Sequence, residues 1–154
     1  MSIIQARPGP EMIWWQGALF QVKGRASNTG GAIGLTEGNF YAGFATPLHV
    51  HHHDDEAWYV LAGEFRFRRG DEEFTGTAGD FIFGPRGIPH SFKALEDGAR
   101  ALVLTTPGGL EEMWLEGGLP VADPAKPPPR EFDVERVRAL ARKYGFDVVG
   151  PPVE

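Results

Sequence analysis

Twenty-one glycines and thirteen prolines are spread along this chain of 154 residues rather than massed in one part of it. Both residues interrupt helices and shape turns. Their spread therefore favours many short strands joined by tight turns over a helical bundle. Candidate strands are Ala18 to Lys23, Gly31 to Thr36, Leu48 to His51, Ala57 to Ala62 and Glu64 to Arg69. They continue at Glu72 to Thr75, Phe81 to Phe83, Ser91 to Leu95 and Arg100 to Thr105. Alternation is clearest in Phe65-Arg66-Phe67-Arg68, one face aromatic and the other cationic. Strands at this spacing, with no long helical pattern between them, predict an all-β antiparallel sandwich or barrel over residues 12–106.

The composition changes after Pro107. Leu110 to Glu116 reads as a short helix, and Asp123-Pro124-Ala125-Lys126-Pro127-Pro128-Pro129 as an extended connector. A terminal helix is expected from Val134 to Tyr144, with Asp133 as its N-cap and Gly145 as its stop. Val134, Val137, Leu140, Ala141 and Tyr144 make one apolar stripe, which suits docking on a barrel or a second subunit. The expected organisation is a barrel in residues 1–107 and an extension in 108–154 docked on the same domain.

All five histidines fall in two places: His49, His51, His52 and His53 in one run, and His90 after a Gly-Pro-Arg-Gly-Ile-Pro turn. Side chains two apart share a face on a strand and oppose each other on a helix. Pro47 also disfavours a helix. A strand therefore puts His49 and His51 on one face, within reach of one ion. A hairpin would bring Glu56 back opposite them, and His90 would enter from a separate strand pair. Three imidazoles and one carboxylate suit a first-row transition metal and leave coordination positions open, as a catalytic site requires. His52, His53, Asp54 and Asp55 are expected in a solvated turn. Trp58 and Val60 share the parity of Glu56 and are candidates to line a cavity, with core packing an equally good reading. Arg86 reads as a solvated turn residue.

The stretch Gly43-Phe-Ala-Thr-Pro-Leu-His49-Val-His51-His-His-Asp-Asp-Glu56-Ala-Trp-Tyr-Val-Leu-Ala-Gly63 resembles the first cupin motif. Gly79-Asp-Phe-Ile-Phe-Gly-Pro85-Arg-Gly87-Ile-Pro-His90 resembles the second. Ala94 stands where the second motif usually carries Asn, a residue that looks structural in that family. The resemblance implies a small jelly-roll barrel (here with a short C-terminal helical extension) and frequent dimerisation. It implies His49, His51, Glu56 and His90 as ligands of one divalent ion: iron, manganese, nickel, cobalt, copper or zinc. Within the family, the chain is similar to the small bacterial single-cupin proteins grouped with quercetin 2,3-dioxygenase.

That similarity implies a dioxygenase cleaving a flavonol or similar phenolic ring, with Glu56 as ligand and proton acceptor together. A cupin isomerase or lyase working without dioxygen is the alternative, as is a protein that only binds a small molecule through its metal. The net charge of −6 argues against a general nucleic-acid or anionic-membrane surface. The absence of cysteine excludes disulfides, thiolate metal sites and a cysteine nucleophile. Met1 to Pro8 shows no secretory leader pattern, and no apolar run reaches the about 18 residues of a membrane span. A cytoplasmic homodimer with a small-molecule substrate is the expectation.

Overall fold

A computed structural model describes residues 11–130 and 133–154, and the stretch Met1 to Pro8 read for a leader lies outside them. The first strands are β1 (Met12–Trp15), β2 (Ala18–Gly24), β3 (Gly34–Phe40), β4 (Leu48–His51), β5 (Asp55–Ala62) and β6 (Glu64–Arg69). They are followed by β7 (Glu72–Thr77), β8 (Phe81–Gly84), β9 (His90–Ala94) and β10 (Ala99–Thr106). Beyond these lie α1 (Leu110–Gly117), β11 (Leu119–Pro120), α2 (Val134–Lys143) and β12 (Phe146–Gly150). One sheet runs β11-β1-β2-β3-β10-β5-β8, and the other runs β12-β4-β9-β6-β7. Every strand pair is antiparallel, and the fold is the all-β small jelly-roll with a C-terminal helix.

Strand alternation fills the space between the sheets. β5 turns Glu56, Trp58 and Val60 inward, β10 turns Ala99, Ala101 and Val103, and β6 turns Phe65 and Phe67. Small residues on β10 leave room for the rings. Phe40 meets Phe65 and Phe92 edge-on at 5.6 and 5.3 Å between centroids, the arrangement that sets a positive ring edge against a negative face.

Several elements depart from the expectation. β3 begins three residues later than predicted and runs on to Phe40. The preceding residues instead form a 3-10 turn at Ala26–Asn28, closed by Gly31 N–H donating to Ala26 O at 2.8 Å. The core face of β3 is Gly34, Thr36, Gly38 and Phe40, so hydrophobic alternation hardly marks it. Strands β1, β11 and β12 were not among those predicted. The expected C-terminal helix is present, capped by Asp133, whose side chain accepts from the N–H groups of Glu135 and Arg136. The chain then continues into β12, which completes the second sheet beside β4.

Gly63, between β5 and β6, takes φ +78°, and a Cβ there would lie 2.8 Å from Ala99 Cα. Gly79 shares the positive φ, at +96°, but a Cβ there meets nothing within 4 Å. Gly63→Ala is therefore expected to destabilise by more than the about 1 kcal/mol that a compatible exchange gains, and by more than Gly79→Ala. Denaturant midpoints of the two variants check this; equal losses would show that backbone conformation alone matters at Gly63.

Candidate metal centre

Four buried side chains from three strands converge inside the barrel. His49 and His51 point inward from β4, on either side of the outward Val50. His90 opens β9 directly opposite His49 in the pairing register. Glu56 comes from β5 in the facing sheet. The carboxylate thus reaches the imidazoles across the barrel interior and not along a hairpin, because β4 pairs with β12 and β9 while β5 pairs with β10 and β8. Glu56 Oε2 lies 3.6 Å from His49 Nε2, 3.1 Å from His51 Nε2 and 2.9 Å from His90 Nε2. One donor atom from each of the four residues falls within 4.8 Å of all the others, a grouping that could hold a metal ion.

The other nitrogen of each ring explains which atoms face inward. His49 Nδ1 lies 2.8 Å from Pro47 O, and His90 Nδ1 lies 3.0 Å from Ile88 O. A carbonyl can only accept, so both Nδ1 atoms carry hydrogen and donate. In the neutral rings the Nε2 lone pairs then point at the centre. Those lone pairs face a carboxylate oxygen, and acceptor facing acceptor is stable only with a cation or a proton between them. His51 Nε2 is buried without an aligned hydrogen-bond partner. An orphaned ring nitrogen among such donors fits a metal, and three nitrogens with one oxygen are ordinary ligands for a divalent transition ion.

Asp54 is a correction. It was expected to face water, yet it is 8% exposed and sets Oδ2 2.9 Å from His51 Nδ1. The contact is an ion pair by distance, although it is not aligned as a hydrogen bond. Burial works against charge on His51, but Asp54 and Glu56 outweigh it and push its pKa up to about 10. Burial holds His49 below the ordinary histidine value. Burial also opposes charge on Glu56, yet the imidazoles of His49, His51 and His90 beside it hold its carboxyl well below the usual range. His52 and His53 are exposed in the turn, and His52 Nε2 lies 2.9 Å from Asp147 Oδ2. Arg86 is exposed and fully engaged with Asp55, through its backbone N–H at 2.8 Å and its guanidinium at 2.9 Å.

Behind the histidines, the ring of Phe146 stacks on His51 at 4.9 Å. Trp58 stands edge-on to His90 at 5.2 Å. Trp58 and Val60 are core residues, and neither lines the cavity that reaches the centre. That cavity holds about 50 Å³ and opens onto His49 and Glu56. Phe20, Phe44, Phe92 and Val103 of the barrel form one side of it. Leu110, Met113, Trp114, Val137 and Phe146 of the extension form the other. Among the described residues only Gln16, Thr46, His49 and Glu56 bring polar amide, hydroxyl, imidazole or carboxylate groups to it, and none of the described lining residues is Lys or Arg.

A small antiparallel barrel enclosing three histidines and a glutamate defines the class of protein. The chain matches the family described as Cupin domain over residues 39–107. It is 28% identical over 107 residues to a quercetin 2,3-dioxygenase of Bacillus subtilis. That match covers 70% of this chain but 32% of the relative, so the chain spans about a third of the relative's length. Among solved structures, a predicted oxalate decarboxylase of Thermotoga maritima aligns with a TM-score of 0.56 at 21% identity, covering 68% of this chain and 99% of that one. A deletion mutant of Bacillus subtilis oxalate decarboxylase aligns with a TM-score of 0.59 at 21% identity, covering 71% of this chain and 32% of that one. At such identities these structures establish the fold alone.

Because Asp54 touches the far nitrogen of His51, Asp54→Ala is expected to weaken divalent-ion binding about 10- to 100-fold while the barrel stays folded. Calorimetric titration of the variant measures this. An unchanged affinity would mean that Asp54 does not orient the ring.

Proposed function

We propose that His49, His51, Glu56 and His90 bind one divalent transition ion and that the chain is a dioxygenase of the quercetinase-like type, acting on a flavonol or similar phenolic. The single observation that carries the reading is an aromatic cavity, without a cationic side chain among the described residues, ending on three nitrogens and a carboxylate. Its walls suit a planar apolar ring, and without Lys or Arg they offer little to a dianionic acid. A bound divalent ion would supply Lewis acidity toward a phenolic oxygen. Glu56 accepts the phenolic proton at its carboxylate, having its acceptor oxygen at the centre. The carbonyls of Pro47 and Ile88 keep the His49 and His90 rings from turning. The apolar walls keep bulk water away from the reacting ring.

The cavity is narrow, so a flavonol enters when the extension moves off the barrel mouth. The same small volume favours a second reading, a cupin lyase or isomerase acting on a compact metabolite without dioxygen. In either case the working unit is a cytoplasmic homodimer. Among the described residues no helix is long and apolar enough to cross a membrane.

Oxygen uptake by protein loaded in turn with iron, manganese, nickel and cobalt, in the presence of a flavonol, tests the first reading. Turnover is expected with at least one ion, falling at least about 100-fold in Glu56→Gln. No uptake across a panel of phenolics rejects the dioxygenase, and conversion of a small metabolite under anaerobic conditions supports the lyase.

A further inference from the structure

Among the described residues Gln16 is the one non-glycine with a positive φ, at +51°. It sits with Gly17 (φ +80°) in the two-residue turn between β1 and β2, where Trp15 pairs with Ala18. A turn with both central residues at positive φ is best served by Asn or Gly at its first position. Gln has neither the short polar side chain nor the missing Cβ that makes this conformation easy. Its backbone is held there all the same. Tyr41 Oη donates to Gln16 O at 2.9 Å, and the Arg130 guanidinium lies 3.7 Å from the centre of the Tyr41 ring. Arg130 also closes on the turn, since its Cγ would lie 2.9 Å from a Cβ on Gly17. A strained residue that its surroundings fix in place points to function, and here the side chain is the part the turn does not need.

Gln16 lines two cavities at once. One is the inner cavity of about 50 Å³ that opens onto His49 and Glu56. The other holds about 280 Å³ between the barrel and the extension, where Leu119, Pro128, Pro129 and Arg136 line it. The two share Trp15, Gln16 and Val137 as a common wall. Trp15 and Val137 are buried, whereas Gln16 is half-buried and is the one carboxamide in that wall. Among the described residues the one hydrogen bond to Gln16 outside the sheet is that from Tyr41 to its backbone carbonyl. The carboxamide therefore keeps both donor and acceptor for a ligand.

We propose that Gln16 is a specificity residue at the neck between these cavities, where its carboxamide hydrogen-bonds a hydroxyl or carbonyl at the end of the ligand remote from the metal centre. The proposal rests on the aromatic substrate proposed above and narrows it to elongated ligands, with one ring at the centre and an oxygen-bearing part in the outer cavity. The outer cavity has the room, since about 150 Å³ accommodates a benzene ring. Its charged residues are already engaged. The Asp133 side chain accepts from the N–H groups of Glu135 and Arg136, and Arg136 Nη2 donates to Gly117 O at 2.8 Å. Gln16 is left to tell a hydroxylated ring from a bare one. A group placed to hydrogen-bond a ligand hydroxyl rejects the analogue that lacks it far better than an apolar wall does.

Quenching of tryptophan fluorescence in zinc-loaded full-length protein, without dioxygen, tests the assignment. Trp15 borders both cavities and Trp114 the inner one, so the signal reports on the site itself. The probes are quercetin and 3-hydroxyflavone, which share the oxygens that would face the ion and differ in the hydroxyls on the remote rings. The wild type is expected to bind quercetin at least about tenfold more tightly than 3-hydroxyflavone. Gln16→Met keeps the length without the amide and should bring the two affinities within about twofold of each other. Gln16→Asn suits the turn but is one methylene short, so its denaturant midpoint should rise while the preference for quercetin falls. A wild type without the preference, a Gln16→Met variant that keeps it, or a Gln16→Asn variant that gains no stability overturns the assignment and leaves the aromatic substrate standing. Failure of both flavonols to bind overturns both.

Discussion

Three imidazole nitrogens and one carboxylate oxygen share a single buried point, and much of the barrel holds them there. The histidines come from neighbouring strands of one sheet and the glutamate from the other, so the centre exists only when the two sheets are closed on each other. Left to themselves, these groups would be costly to bury. Protonation of His51 relieves part of that cost, and a divalent ion would relieve more of it. Metal binding and barrel closure would therefore be coupled: a bound ion would stabilise the closed form, and the closed form assembles the ligands.

The C-terminal extension belongs to the same physical system. β12 hydrogen-bonds along β4, with Phe146 opposite His51 and Val148 opposite His49 in the register. The Phe146 ring then forms a flat apolar backing for His51. α1 and α2 bring Met113, Trp114 and Val137 over the open side of the centre. What reaches the four donor atoms is decided by residues that lie far along the chain from the motifs that supply them. A substrate larger than the closed cavity has to displace this cover, so the docking strength of the extension bears on substrate choice.

The main features of the centre could be read in the sequence because they rest on local rules. Strand alternation alone puts His49 and His51 on one face, and the Gly-Pro-Arg-Gly-Ile-Pro turn delivers His90. Most strand positions followed from the same periodicity. What escaped detection depended on non-local pairing or on the end of that periodicity. Asp54 lies past the last residue of β4, where the chain turns and alternation no longer fixes which way a side chain points. β12 follows a helix and finds its partner nearly a hundred residues away, so no local pattern announced it. Trp58 and Val60 do share the parity of Glu56, but the space above them is already filled by aromatic rings. The cavity wall comes from the extension instead.

As one metal site, the four residues would act through the Nε2 atoms of His49, His51 and His90 and the Glu56 carboxylate. Anomalous diffraction from a crystal soaked in a divalent transition ion tests it most directly. One ion per chain is expected, about 2.0–2.2 Å from Nε2 of His49, His51 and His90 and from an oxygen of Glu56. An ion held through Nδ1, an ion bound only at the exposed His52–Asp147 pair, or no ion inside the barrel would contradict it.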